Sequence, residues 1–200
     1  VKDKSSLFLA GPPLVEAATG EVLTAQELGG SKVHCYISGV VDHESATEAE
    51  AISWLRQSIA RVPFLQNAHK FKPPKHQDDL SSFIDNDPRH LPDINGIIAN
   101  ITDDSWFEEF QPTLGKNIKT GWAKIHGRQT AIIANDGILT ANEMQKTSKF
   151  IRAAEIINAP LIFLHNTHGM LVGSQAEKSG IATHGARLIK LIATTKLKKY

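Results

Sequence analysis

Residues 160–188 read PLIFLHNTHGMLVGSQAEKSGIATHGARL, and the fold is decided in this stretch. It opens on a wholly apolar run, Leu161-Ile162-Phe163-Leu164, bounded by Pro160 and the polar pair Asn166-Thr167. Such a run predicts a strand buried on both faces. A polar loop with Gly169 and Gly173 follows, and then Ile181, Gly185, Leu188, Ile189 and Ile192 recur at helical spacing. A buried strand that ends in a glycine-containing loop before a helix puts backbone N–H groups at the strand's carboxyl end. Open α/β sheets commonly hold ligands at that edge. An ordinary strand–loop–helix connection has the same pattern, so pattern alone leaves both readings open.

The residues upstream repeat the alternation. Thr120 to His126 predicts a strand, and Thr130-Ala131-Ile132-Ile133-Ala134 a second, apolar throughout, ending at Asn135-Asp136-Gly137. Thr140-Ala141-Asn142-Glu143 has capping-box spacing, and Met144, Phe150, Ile151, Ala154 and Ile157 put an apolar stripe on the helix behind it. Asn158 and Pro160 stop that helix. A strand–helix–strand–helix order implies parallel strands joined by right-handed crossovers. Ile94, Ile97, Ile98 and Ile101 predict a short helix with Pro92 near its start. Asp103-Asp104 and Glu108-Glu109 read as a solvated acidic face.

The first sixty residues are less regular. Leu7-Phe8-Leu9-Ala10, stopped by Gly11-Pro12-Pro13, reads as a strand end. Thr24-Ala25-Gln26-Glu27, closed by Gly29-Gly30, predicts a one- or two-turn helix. Val33 to Val41 alternates loosely and reads as extended. Ser45-Ala46-Thr47-Glu48 offers another capping box, with Ile52, Leu55, Ile59 and Val62 at helical spacing behind it. From Pro63 to Pro92 there are five prolines and many charges, which predicts a linker across a domain seam.

Composition narrows the function classes. A chain of 200 residues with a formal net charge of +1 offers no electrostatic footprint for nucleic acid or an anionic membrane. The single cysteine, Cys35, excludes an internal disulfide and fits a reducing compartment. No apolar stretch approaches the roughly 20 residues that span a bilayer. The chain starts at Val1 without an initiator Met, which reads as a cut. His34-Cys35 and the His165/His168 pair lack the three or four ligands a metal site needs. Lys190, Lys196, Lys198 and Lys199 read as a basic helix face with cations near a helix C-terminus, and Trp54, Trp106 and Trp122 as packing residues.

Residue identity goes further than pattern. Pro160-Leu161, Phe163-Leu164, Asn166, Gly169, Val172-Gly173, Glu177, Gly180-Ile181 and Gly185-Ala186 stand in one order at the end of the chain. Gly11-Pro12-Pro13-Leu14-Val15, Ala17-Ala18-Thr19-Gly20-Glu21, Leu28-Gly29-Gly30, His34-Cys35, Ser38-Gly39-Val40 and Asp42-His43 stand at its start. Asp87-Pro88-Arg89, Thr120-Gly121 and Ala134-Asn135 lie between them. Across nearly its whole length the chain resembles the carboxyltransferase β subunit of biotin-dependent acyl-CoA carboxylases, the methylcrotonoyl-CoA type above all.

The resemblance implies a crotonase-like α/β spiral, duplicated into two domains. Residues 1–62 would be the C-terminal part of the first carboxyltransferase domain, 63–92 the linker, and 93–200 the N-terminal part of the second. The implied reaction moves a carboxyl group from carboxybiotin to an acyl-CoA. Charge would develop on the thioester oxygen and the biotin ureido oxygen, which calls for preorganised donors rather than a nucleophilic side chain. In the family those donors belong to two glycine-rich turns, and both lie outside this chain, so the chain alone is expected to be inactive and no catalytic residue is assigned within it. Asn135, Asn166, His168, Gly169, Met170 and Gly173 become candidates for the substrate and biotin pocket.

His168 stands where the methylcrotonoyl type usually carries threonine and the acetyl-CoA branch an arginine; a solvent-facing loop histidine is its plainer reading. Asp136 replaces a usual second asparagine, with a turn role for Asp136-Gly137 as its first reading. The implied partners are a biotin carboxylase and biotin carrier subunit and further carboxyltransferase subunits. The implied cofactor is biotin on the carrier, with acyl-CoA as substrate and no metal. The implied compartment is the bacterial cytoplasm or the mitochondrial matrix. Two rivals stay open: a truncated paralogue kept as an assembly or binding module, and a biotin-dependent decarboxylase subunit.

Overall fold

The structure is a computed structural model that describes residues 1–60, 71–75, 78–83, 92–135, 137–166 and 169–200. The chain divides into two compact units, Val1–Ala60 and Arg61–Tyr200.

The first unit is helical. Helix α1 runs Pro12–Thr19, with proline in its first turn and Gly20 closing it in the left-handed region at φ 79°. This helix was not expected, although Gly11-Pro12-Pro13 before it and Gly20 behind it are start and stop signals. The expected strand at Leu7–Ala10 is absent; only Ser6 forms a bridge, to Gly30. Helix α2, Ala25–Gly29, carries the expected Thr24–Glu27 capping box. Helix α3 occupies Ser31–Tyr36, where extended chain was expected. Among the described residues no strand pairs with these, and the N–H groups of His34 and Ile37 bond instead to the carbonyls of Gly30 and Val33, at 3.2 and 3.1 Å. Helix α4, Glu48–Ala60, follows. Its cap lies two residues beyond the expected one: Thr47 Oγ1 accepts from Glu50 N–H at 3.2 Å, and Glu50 Oε2 accepts from Ala46 N–H at 2.9 Å. Cys35 is 3% exposed.

The second unit is built on a sheet. Helix α5 (Ile94–Ile101), capped by the Asp93 side chain, leads into strands β1 (Phe107–Glu109), β2 (Ile118–Ile125) and β3 (Arg128–Asn135). Helix α6 (Ala141–Ile157), strand β4 (Leu161–Leu164), and helices α7 (Ser174–Lys178) and α8 (Ile181–Thr194) complete it. Among the described residues the sheet order is β1-β2-β3-β4. The first two pairings are antiparallel, and β3 with β4 is parallel across the α6 crossover. Parallel pairing therefore holds only where a helix joins the strands. The β2–β3 connection is a tight hairpin instead, with His126 and Gly127 at φ 49° and 75°. After α8, residues 198–200 run beside β4, with Leu161 N–H bonded to Lys198 O and Phe163 N–H to Tyr200 O. The Lys199 ammonium caps α8 through the carbonyls of Ile192 and Thr195.

Period-two alternation sorts the strand residues between two faces. Ala131, Ile133, Leu161 and Phe163 pack toward Phe150, Ile151 and Ala154 of α6 and Leu188 of α8. Ile132, Ala134, Ile162 and Leu164 pack toward Ile94 and Ile98 of α5. Strand β4 is thus covered on both faces, though only Leu161 is fully buried.

Two of the four acidic residues expected on a solvated face, Asp103 and Glu109, are tied into the fold instead, while Asp104 pairs with the exposed Lys72 and Lys75. Asp103 is 8% exposed, and its carboxylate accepts the N–H groups of both hairpin residues, His126 at 2.8 Å and Gly127 at 2.6 Å. Glu109 accepts from Lys119 at 3.4 Å and from Lys146 at 3.0 Å. The Lys146 side chain is 0% exposed, and its ammonium also donates to Ile118 O at 2.9 Å and Gly115 O at 3.4 Å. All three of its protons therefore find acceptors, which a buried ammonium requires.

Truncating one partner of such a pair leaves the other desolvated. Lys146→Met is expected to cost about 3 kcal/mol of unfolding free energy in denaturant titration, the low end for a buried pair because Glu109 keeps Lys119. Lys146→Met combined with Glu109→Leu is expected to cost less than the sum of the single changes.

Burial holds the Lys146 ammonium below its ordinary pKa of 10.5, with Glu109 pulling the other way. Between that lowered value and 10.5 the unfolded chain binds the proton more readily than the folded one. Over this interval the stability of the wild type relative to Lys146→Met therefore rises with pH. Denaturation midpoints for both proteins, measured up to pH about 10.5, check the sign; a flat or falling difference would contradict it.

Candidate functional site

The parallel pair β3/β4 delivers two loops to one edge of the sheet. Their register matches Ala134 with Leu164, so Asn135 and His165 follow side by side from the strands' carboxyl ends. The loops are then stitched together. Leu139 N–H bonds to Gly169 O at 3.1 Å, and Leu171 N–H bonds back to Leu139 O at 2.8 Å. These two bonds straddle Met170 in a parallel bridge with Leu139.

Asn135 ends β3 opposite Ile118 of β2. By strand alternation it continues the Ala131–Ile133 row that faces α6. It is 5% exposed, and its Nδ2 has no hydrogen-bond partner. A buried amide donor left unpaired costs about 1–3 kcal/mol unless water or a ligand supplies an acceptor. Asn166 is exposed just beyond β4. Gly169 adopts φ 106° and Gly173 φ 114°, conformations that L side chains rarely adopt. A Cβ on either would meet nothing within 4 Å, so the backbone there is open to approach. Met170, Leu171, Val172 and Ile138 form an exposed apolar rim. Gly173 caps the start of α7. His168 and Asp136 lie outside the described residues.

Of the six candidates, Asn135, Gly169 and Met170 belong to the stitched edge. Asn166 and Gly173 flank it in sequence. Sequence reasoning missed Asn117, whose Nδ2 donates to Ile138 O at 2.8 Å, and Leu139, which holds the stitch. No local signal marks Asn117, because its partner is 21 residues away. Among the described residues no group of three or more His, Cys, Asp or Glu is arranged to hold a metal ion. Cys35 sits in the first unit with its thiol pKa pushed up by burial, the opposite of an activated nucleophile.

The carboxyl transferase domain family model matches residues 1–199. The mitochondrial methylcrotonoyl-CoA carboxylase beta chain of Dictyostelium discoideum is 38% identical over 204 residues, covering 100% of this chain and 35% of that protein. A probable biotin-dependent acyl-coenzyme A carboxylase beta2 subunit of Mycobacterium tuberculosis is 38% identical over 200 residues, covering 98% of this chain and 38% of that protein. The solved structure of transcarboxylase 12S with hydrolysed methylmalonyl-coenzyme A superposes with a TM-score of 0.88 at 27% identity, covering 99% of this chain and 41% of that one. The chain thus spans a little over a third of the curated relatives it matches. Its mixed α/β structure has the crotonase-like fold of carboxyltransferase subunits, and with the family match over residues 1–199 the chain belongs to the carboxyl transferase family, as part of such a subunit.

Proposed function

We propose that the chain serves carboxyl transfer from carboxybiotin to an acyl-CoA, with a methylcrotonoyl-like acyl group, as part of a biotin-dependent carboxylase. The observation that carries this reading is the buried Asn135 amide, a donor without an acceptor, at the stitched carboxyl edge of β3/β4. Both groups of the proposed reaction, the ureido ring of biotin and the CoA thioester, present a carbonyl oxygen. Asn135 Nδ2 is the donor suited to such an oxygen. Gly169 and Gly173 leave the backbone open to approach, and the Ile138/Met170 rim offers an apolar wall. When bound, carboxybiotin supplies the carboxyl group; the residues here bind and orient.

The proposed partners are a biotin carboxylase and biotin carrier subunit and further copies of the carboxyltransferase subunit. The proposed compartment is the bacterial cytoplasm or the mitochondrial matrix. Residues 63–92 are proposed as the seam between two carboxyltransferase domains. The alternative is an inactive paralogue that keeps the fold as an assembly or binding module.

Two proteins separate the readings. Residues 1–200 alone, given a carboxylated biotin carrier and methylcrotonoyl-CoA, are expected to show no transfer above background. Losing even one oxyanion donor typically lowers the rate by about 10²–10³. A chimera that restores the flanking segments of the Dictyostelium relative on both sides is expected to transfer carboxyl. A folded chimera without turnover would favour the binding module.

Within the chimera, His168→Thr tests whether that position meets the acyl group. A site contact changes discrimination among acetyl-, propionyl- and methylcrotonoyl-CoA by about 1–3 kcal/mol in kcat/KM ratios. Unchanged ratios would assign His168 to the loop surface.

A further inference from the structure

We infer that Asn117 is the positioning residue of the candidate site: it clamps the loop after β3, and through that loop the stitched edge that carries Asn135, Gly169 and Met170. The inference rests on the functional reading above only for the identity of the ligand.

The clamp is anchored on α6. Glu143, buried in the first turn of that helix, accepts from the N–H and the hydroxyl of its cap residue Thr140. Its other oxygen, Oε1, accepts the backbone N–H of Asn117 at 3.2 Å. The carboxylate is therefore held by three donors and cannot swing. The preceding turn is pressed on the same helix: a Cβ on Gly115, at φ 55°, would stand 3.0 Å from the Glu143 backbone. Lys146, one turn further on, draws in Gly115 O and Ile118 O. Asn117 is thus fixed from both sides before its side chain makes any contact.

That side chain then crosses to the site. Its Nδ2 donates to Ile138 O at 2.8 Å. The acceptor is a backbone carbonyl, so the amide must present its NH2 group there. Gly137 packs on the same side chain: at φ 149°, its missing Cβ would lie 3.1 Å from Asn117 Cγ. The 138–139 peptide is therefore held by one hydrogen bond, with the Gly137 backbone set close beside the same side chain. The next residue is Leu139, whose N–H and C=O take both bonds of the stitch to Gly169 and Leu171. A loop holding an exposed apolar rim next to a buried amide needs an external brace of this kind, because surface loops supply little packing of their own.

The test is Asn117→Asp, which keeps the shape and removes the Nδ2 donor, with Asn117→Ala as a second variant. Amide hydrogen exchange is followed in the 200-residue chain by mass spectrometry on peptides covering 137–144 and 166–173, with peptides from β2 and β3 as reference. Loss of the clamp should speed exchange at Leu139 and Leu171 about tenfold or more, with the β2/β3 core unchanged, as expected when one hydrogen bond is lost locally. Unchanged exchange at both amides, or equal acceleration throughout the sheet, would overturn the clamp.

In the chimera, Asn117→Asp should raise KM for methylcrotonoyl-CoA about fivefold or more, with a smaller change in kcat. Accelerated exchange with an unchanged KM would overturn the role at the site. A wild-type chimera that folds but turns nothing over would overturn the functional reading instead, and the exchange data would still decide the clamp.

Discussion

The second unit is organised around one ammonium group. Lys146 lies inside it with no exposed surface, and its three protons go to Glu109, Ile118 O and Gly115 O. Those acceptors sit on β1, at the start of β2 and in the turn between them, so one side chain of α6 ties the helix to the antiparallel half of the sheet. Desolvating an ammonium is costly enough that the geometry has little freedom; a shift of any acceptor would strand a charge or a carbonyl. Glu143 sits one turn earlier on the same helix and accepts from Asn117, next to Ile118. One face of α6 therefore holds the carboxyl end of β3 through β2, because Ile118 is the residue that pairs with Asn135.

Interactions of short range were legible in the sequence. The capping boxes at Thr24–Glu27 and Thr140–Glu143 join residues three apart, and a local pattern suffices to find them. The stop at Asn158 was legible for the same reason, its φ of 52° being one that asparagine tolerates. The apolar runs at β3 and β4 were legible because strands covered on both faces exclude polar residues. What failed is what depends on distant partners. Glu109 reads as surface until Lys146, 37 residues on, is brought to it, and Asp103 does so until the hairpin 23 residues away folds back. The sequence of α3 failed differently: its loose alternation fits a strand, but among the described residues no strand pairs with it.

The candidate site divides along the same line. Asn135 and Gly169 were visible because the carboxyl ends of apolar runs are where α/β sheets expose backbone, which needs only the run and its terminator. Asn117 was invisible because its partners, Ile138 and Glu143, lie 21 and 26 residues away, where no local pattern marks them. Only the family resemblance points to Met170, and its position in the bridge with Leu139 is a property of register that no local pattern encodes. Chemical identity of the edge is thus readable from sequence, while its rigidity is readable only from structure.

The two units also differ in what holds them. In Arg61–Tyr200, buried apolar residues cover both faces of the sheet. In Val1–Ala60, Cys35 is the single buried apolar side chain, while Ile52, Leu55 and Ile59 leave about half their surface exposed along one face of α4. Sixty residues with so little buried area gain only a small part of the burial energy that offsets chain entropy in a domain of ordinary size. The first unit is held instead by polar devices: the Thr24 box, the Lys2–Ser45 and Leu7–Gly29 backbone bonds, and His34 bridging Leu7 O and Ser38. Bonds of this kind direct local shape more than they drive collapse.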